Sequence, residues 1–342
     1  MKKIDKRAKA IRHRAARVRY DAKRRTPKWK RLKKNKKKLI VGQKQREQKQ
    51  SRKPFKPLVA PKLFSLIENT NVVLAYFENA KKELRSGENI SLDISEVDTL
   101  TPDTIALMVA NINDVDFVHN SRVVGNEPKK PNLNKLFRES GFYDHVRTSG
   151  FVRSSKSNLL HKEVNRKVVP EVAKKALLVG VKHVFGDTRP FAPLYEILVE
   201  CMSNTNDHAD LRGTGKCNWW LYVYCDPVEK LTSYSFLDLG VGIFKSAIVQ
   251  NYLKNVFKGT PLYKNIYLVD DLLAGNIKSR VYGSDKEIRG KGIPQIVDHA
   301  KSLHFRSFYV ITNDVMINLK SGYKEQLKHT LDGTFLYWEL QN

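Results

Sequence analysis

The charge of this chain is segregated, and that division limits what can fold. Residues 1–58 hold 26 Lys and Arg against only Asp5, Asp21 and Glu47, while the other 284 residues hold 36 basic and 32 acidic side chains. A segment so charged and so poor in apolar residues cannot bury enough surface to offset its chain entropy. Residues 1–58 are therefore expected to be a disordered basic arm, with Pro54, Pro57 and Pro61 stiffening its exit. Its clusters Arg12-His13-Arg14, Lys23-Arg24-Arg25 and Lys36-Lys37-Lys38, with Tyr20 and Trp29 between them, suit a phosphate backbone and an occasional stacked base. The polyanion is nucleic acid on one reading and an acidic protein surface on the other.

The nearly neutral remainder is long enough for two domains. No run approaches 18 apolar residues, which argues against a membrane span. The charged N-terminus lacks the apolar stretch of a secretory signal. Cys201, Cys217 and Cys225 show no CxxC spacing, and such sparse thiols suit a reducing, cytoplasmic setting.

Residues 59–150 alternate helix and strand patterns and are expected to form a small α/β domain. A helix is expected over 63–84, a strand over 90–95, and a helix after Thr101-Pro102, where Thr caps and Pro occupies the first turn. A short strand over 122–125 and a helix over 133–142 complete it. Two stretches, LDISEVDTLTPDTIALMVA (residues 92–110) and RVVGNEPKKPNLNKLFRESGFYDHV (residues 122–146), resemble a STAS domain, the fold of anti-sigma-factor antagonists. That resemblance implies a protein partner and a Ser or Thr phosphoacceptor at a helix N-terminus, which Thr104 matches. The alternative is that Thr104 is an ordinary first-turn residue. Residues 151–175 are expected to be a linker, with His161 in it, leading into a helix over 171–185.

Residues 176–342 carry the chemistry. Leu194, Ile197, Leu198 and Cys201 mark the apolar face of a helix. Glu200 and Asn204, four apart, share another face, which Asp207 and His208 continue. Asn204 offers a neutral oxygen suited to Mg²⁺, and Glu200 can orient or deprotonate a water. A strand over 218–224 precedes a second over 232–237 that runs into Asp238-Leu-Gly240-Val-Gly242. There a carboxylate can accept a hydrogen bond from an exocyclic amine, and the glycines permit a sharp turn. Arg289-Gly290-Lys291-Gly292 then opens a helix, a natural anion cradle. Strands are expected over 304–312, 315–320 and 334–340, with Asp332-Gly333 as a turn before the last.

The order Glu-x-x-x-Asn, Asp-x-Gly-x-Gly, Gly-x-Gly and a final Gly-Thr resembles the GHKL or Bergerat-fold ATPases, and ECMSNTNDHA (residues 200–209) is most like the anti-sigma-factor kinases. The resemblance implies an α/β fold of the α+β sandwich kind, with a mixed sheet and helices on one face. It implies ATP and Mg²⁺ as ligands. Glu200 would be the base, Asn204 the Mg²⁺ ligand and Asp238 the adenine reader. Gly240 and Gly242 would shape the pocket; Arg289, Gly290, Lys291 and Gly292 would meet phosphates; Asp207, His208 and Thr334 would complete the site. Residues 244–288 would form a lid. Two uses of ATP follow: hydrolysis driving a switch in conformation, partner or homodimer contact, or transfer to Ser or Thr of a STAS domain in cis or in trans.

Overall fold

A computed structural model describes residues 53–147, 158–163, 168–208 (backbone alone at 206–208), 218–246, 264–277 and 292–342. The segment Met1–Pro54 separates from the unit Phe55–Asn342, which holds every element below. The expected disordered arm lies outside the described residues up to position 52.

The unit begins with β1 (Phe55–Val59), which pairs in parallel with β3 (Asn89–Asp93). Part of the expected proline linker is thus a strand. Pro57 is tolerated because β1 is an edge, where a missing N–H breaks no ladder. A short β2 (Leu63–Phe64) follows, and it pairs in parallel with β4 (Thr99–Leu100). The first helix therefore starts later than expected, as α1 (Thr70–Arg85), because residues 63–64 are taken by that ladder. Val73, Leu74, Phe77, Ala80 and Leu84 form its buried face. Parallel strands need crossovers, and α1 supplies one. The second comprises α2 (Pro102–Ile112) and α3 (Val115–Val118), leading to β5 (Val123–Gly125), which pairs with β3. Then come α4 (Pro131–Glu139) and a 3₁₀ turn at Phe142–Asp144, entered through Gly141 at φ +89°.

Strand β6 (Leu159–Glu163) lies where a linker was expected. His161 sits on it, with Nε2 3.3 Å from a Glu163 carboxylate oxygen. Next are α5 (Pro170–Phe185), α6 (Ala192–His208), β7 (Trp219–Cys225) and β8 (Thr232–Asp238). A 3₁₀ turn at Asn265–Leu268 runs into α7 (Val269–Leu273), followed by α8 (Gly292–Ala300), β9 (Phe305–Asn318) and β10 (Lys324–Leu340). The three expected C-terminal strands are two long ones. The strands expected over 304–312 and 315–320 are replaced by the single β9 (Phe305–Asn318), which bends at Asn313 (φ +53°), and Asp332-Gly333 is an irregularity within β10 rather than a turn before it.

The second sheet runs β6-β7-β8-β10-β9. Among the described residues all of its pairings are antiparallel, in place of the mixed sheet expected. The helices α5, α6 and α8 of the C-terminal region lie on one face of this sheet, and the N-terminal layer covers the other. Trp220, Tyr222, Leu237, Phe335 and Tyr337 join the core of residues 58–142, while Trp219, Leu221, Val223, Tyr234, Phe236, Leu336 and Trp338 pack with α5, α6 and α8. This period of two is the pleat itself. Burial on both faces explains why β7 reads as a continuous rather than an alternating apolar run, and β8 is buried throughout although Thr232, Ser233 and Ser235 interrupt its apolar residues. On the second face, Trp338 stacks between Tyr234 and Phe308 at 5.3 Å centroid spacing on each side. Helix α2, buried from Asp103 to Asn111, fills the space between the sheet and the first layer. The result is an α+β architecture with one antiparallel sheet sandwiched between two layers.

Candidate functional site

A cavity of about 100 Å³ opens on the α6–α8 face of the large sheet. That is space for several water molecules. Phe236, Leu336, Ile277 and Ile293 give it apolar walls, and Asn204, Asp238 and Thr334 bring polar groups to it.

Asp238 ends β8 and is 6% exposed. Its carboxylate accepts from the Gly240 N–H at 2.9 Å, and Thr334 stands directly opposite in the β10 register. Burial raises the carboxyl to a pKa of about 6; hydrogen bonds from Gly240 and from the Thr334 hydroxyl and N–H oppose the rise. The strand therefore delivers an acid whose charge is poised near neutrality.

Gly333, at φ +108°, lets β10 approach this site. A Cβ there would lie 1.9 Å from the Asp238 carbonyl oxygen. Gly242, at φ +77°, is needed for a reason the sequence did not reveal. The space its Cβ would take is filled by the Asn313 carboxamide, with Nδ2 at 2.5 Å and Oδ1 at 2.6 Å, not held open for a ring.

On α6, Glu200 and Asn204 lie side by side against the first residue of α8. A Cβ on Gly292 would meet Glu200 Oε2 and Asn204 Oδ1, each at 2.8 Å. The backbone at the start of α8 is thus pressed onto the two side chains expected to work together. Cys201, between them in sequence, also lines the cavity, and burial pushes its thiol well above the ordinary range, with Glu200 and Asp238 adding to the effect. It is an unreactive wall residue. One turn earlier, Glu196 accepts from Gln295 Nε2 at 3.0 Å and lies 2.7 Å from His299 Nε2, fastening α8 to α6.

Of the expected site, the structure brings together Glu200, Asn204, Asp238, Gly240, Gly242, Gly292 and Thr334. Arg289, Gly290 and Lys291 lie outside the described residues, as do the side chains of Asp207 and His208 and most of the expected lid. Where residues 244–288 are described, Leu268, Val269 and Leu272 are buried in the core, so that stretch is anchored.

Thr104 lies elsewhere. It is fully buried on α2, on the first-layer side of the sheet, and its hydroxyl accepts from the Leu66 N–H at 2.8 Å. Its neighbour Asp103 accepts from the Ile67 N–H at 3.0 Å, and burial raises its pKa. These residues tie α2 to the approach to α1, and the sheet separates them from the cavity.

Sequence reasoning missed Thr312, Asn313 and Asp314, which touch three sides of the cavity's frame. Thr312 Oγ1 accepts from the Ile243 N–H at 2.9 Å and donates to Gly333 O at 3.1 Å. Asn313 accepts from the Phe244 N–H at 3.0 Å and donates to Val241 O at 2.9 Å. Asp314 accepts from Asn265 Nδ2 at 2.6 Å. The signal was present as a polar triplet inside an apolar strand, but Asn-Asp there reads as a turn.

No protein-family profile matches the chain, and no curated protein matches it significantly. Among the described residues no helix is long and apolar enough to cross a membrane, and no three His, Cys, Asp or Glu side chains converge as a metal-binding group.

Proposed function

We propose that the chain binds ATP with Mg²⁺ in this cavity and hydrolyses it to drive a change of conformation or partner. The observation that carries the reading is Asp238, a buried acid at an apolar cavity, held by Gly240 and Thr334 in the order of motifs that resembles GHKL ATPases. Ionised above a pH of about 6, it accepts a hydrogen bond from the exocyclic adenine amine. Phe236, Leu336 and Ile293 exclude water around the ring.

The residues present fit the triphosphate end as well. The absence of a side chain on Gly292 leaves the first turn of α8 in contact with Glu200 and Asn204, and the positive end of a helix dipole favours an anion. Asn204 supplies a neutral oxygen for Mg²⁺, an ion that takes few protein ligands when phosphates share it. The metal supplies neutralisation of phosphate charge. Glu200 orients a water toward the terminal phosphorus and takes its proton as the new P–O bond forms and the bond to the bridging oxygen breaks, releasing ADP.

Transfer to Thr104 within the same chain is disfavoured, because the residue is buried across the sheet from the cavity. Transfer to a Ser or Thr of another STAS-like domain is the alternative, and product analysis separates the two. With γ-labelled ATP, the hydrolysis reading expects free labelled phosphate and unlabelled protein; stable label on the chain or on a partner overturns it. The basic arm is proposed to bind a polyanion. Deleting residues 1–52, which leaves β1 whole, should abolish salt-sensitive binding to DNA or RNA, and undiminished binding would refute that role.

A further inference from the structure

Three consecutive residues at the bend of β9 hold three separate walls of the cavity. A regular strand cannot do this, because alternate side chains leave by opposite faces. Asn313 breaks the alternation. It is 1% exposed, non-glycine and left-handed at φ +53°, and β9 slips against β10 there, with Leu331 opposite Asn313 but Thr334 opposite Thr312. Such a conformation costs about 1–3 kcal/mol and persists only where surrounding contacts fix it.

The contacts that fix it all lead to the site. Thr312 and Asn313 together take three of the backbone hydrogen bonds of the loop 241–244, so the turn after Asp238 is fastened to β9 as well as to itself. Thr312 also holds Gly333, next to Thr334. Asp314 takes Asn265, at the head of the segment that carries Leu272 to the cavity wall.

We infer that Thr312, Asn313 and Asp314 are positioning residues that set the shape, and with it the nucleotide affinity, of the cavity. The inference rests on the ATP reading for its ligand and on geometry for its clamp. Asn313 acts through Gly242 as well. A Cβ at position 242 and the Asn313 amide would occupy the same space, so the loop closes on that amide to a depth that any side chain at position 242 would prevent.

Asn313→Gly suits the test, because glycine adopts a positive φ without strain and the fold should survive while the clamp is lost. Thr312→Val keeps shape and removes the hydroxyl. Amide hydrogen exchange without nucleotide reads the clamp, and calorimetry with Mg-ADP reads its consequence. Both variants should speed exchange at their own partners, Phe244 for Asn313→Gly and Ile243 for Thr312→Val. Asn313→Gly should weaken ADP binding about tenfold, as expected for two lost neutral hydrogen bonds. It should also retain a cooperative melt. Asn313→Asp, which keeps the acceptor for Phe244 but not the donor to Val241, should fall between. Faster exchange with unchanged ADP affinity would overturn the positioning role, and unchanged exchange would overturn the clamp itself. A wild-type protein that binds no ADP would instead sink the ATP reading and the inferred effect on affinity, with the exchange rates still deciding the clamp.

Discussion

Replacing Asp238 by Asn should make the protein more stable and less able to bind nucleotide, and only above a certain pH. Burial lifts this carboxyl from its ordinary value of 3.8 to about 6. The folded state holds the proton more tightly than the unfolded chain, so the stabilisation is full below pH 3.8 and is lost as pH rises through about 6. Above that the ionised carboxylate costs the fold about 3 kcal/mol. The carboxamide introduced by Asp238→Asn never ionises. Its oxygen can still accept from the Gly240 N–H, but an NH₂ turned toward Thr334 exchanges one contact for a poorer one, at about 1 kcal/mol. That loss applies at every pH. Subtracting the mutational change in stability at pH 4 from that at pH 8 therefore leaves the ionisation contribution, about 2–3 kcal/mol in favour of the variant at high pH. Asp103, buried in both proteins, titrates in the same direction and cancels. Urea denaturation at the two pH values measures the difference, and Mg-ADP calorimetry at pH 8 should show a loss of about 10- to 100-fold in affinity. A change in stability that is the same at pH 4 and pH 8 would refute the raised acid, and with it the argument that this carboxyl is kept at a structural cost for a ligand.

Further substitutions probe other parts of the structure. Gly292→Ala should lower Mg-ADP affinity while shifting the melting temperature little, since its Cβ meets the Glu200 and Asn204 side chains rather than backbone; unchanged affinity in calorimetry would separate α8 from the site. Gly180→Ala should destabilise the protein by several kcal/mol because its Cβ would lie 1.7 Å from the Tyr234 hydroxyl, and Tyr234→Phe should recover part of that loss in a double-mutant denaturation cycle. Thr104→Glu should unfold or severely destabilise the chain by burying an unpaired charge, whereas Thr104→Ser should cost about 1 kcal/mol or less in thermal denaturation; a well-folded Thr104→Glu protein would revive Thr104 as a phosphoacceptor.

The legible parts of this chain were those written in short-range patterns. The apolar face of α6, the Thr101-Pro102 start of α2 and the strand ending in Asp238 all lie within a residue or a few of their expected places, because local spacing determines them. The juxtaposition of Glu200 with Asn204 follows from helical pitch alone. What stayed hidden depended on pairing. Pro57 argues against a strand until β1 proves to be an edge, and Leu63 fits a helical stripe until β2 claims it for β4. Asn313-Asp314 has the composition of a turn, and only the partner strand β10 converts it into a bend within one long strand. The role of Gly242 was likewise invisible, because the atom that demands glycine belongs to a residue 71 positions away.

The pleat of the large sheet has a consequence for how the chain tolerates change. In β7, β8 and β10, neighbouring residues report to different compartments: Phe236 and Asp238 to the cavity side and Leu237 to the first layer, Leu336 to one and Phe335 and Tyr337 to the other. The two compartments share one wall a single backbone thick, so neither can be remodelled by shifting a strand without inverting the loyalties of every side chain along it. A saturation scan across these strands should produce two interleaved barcodes, one scored by ligand and one by attachment of the N-terminal layer.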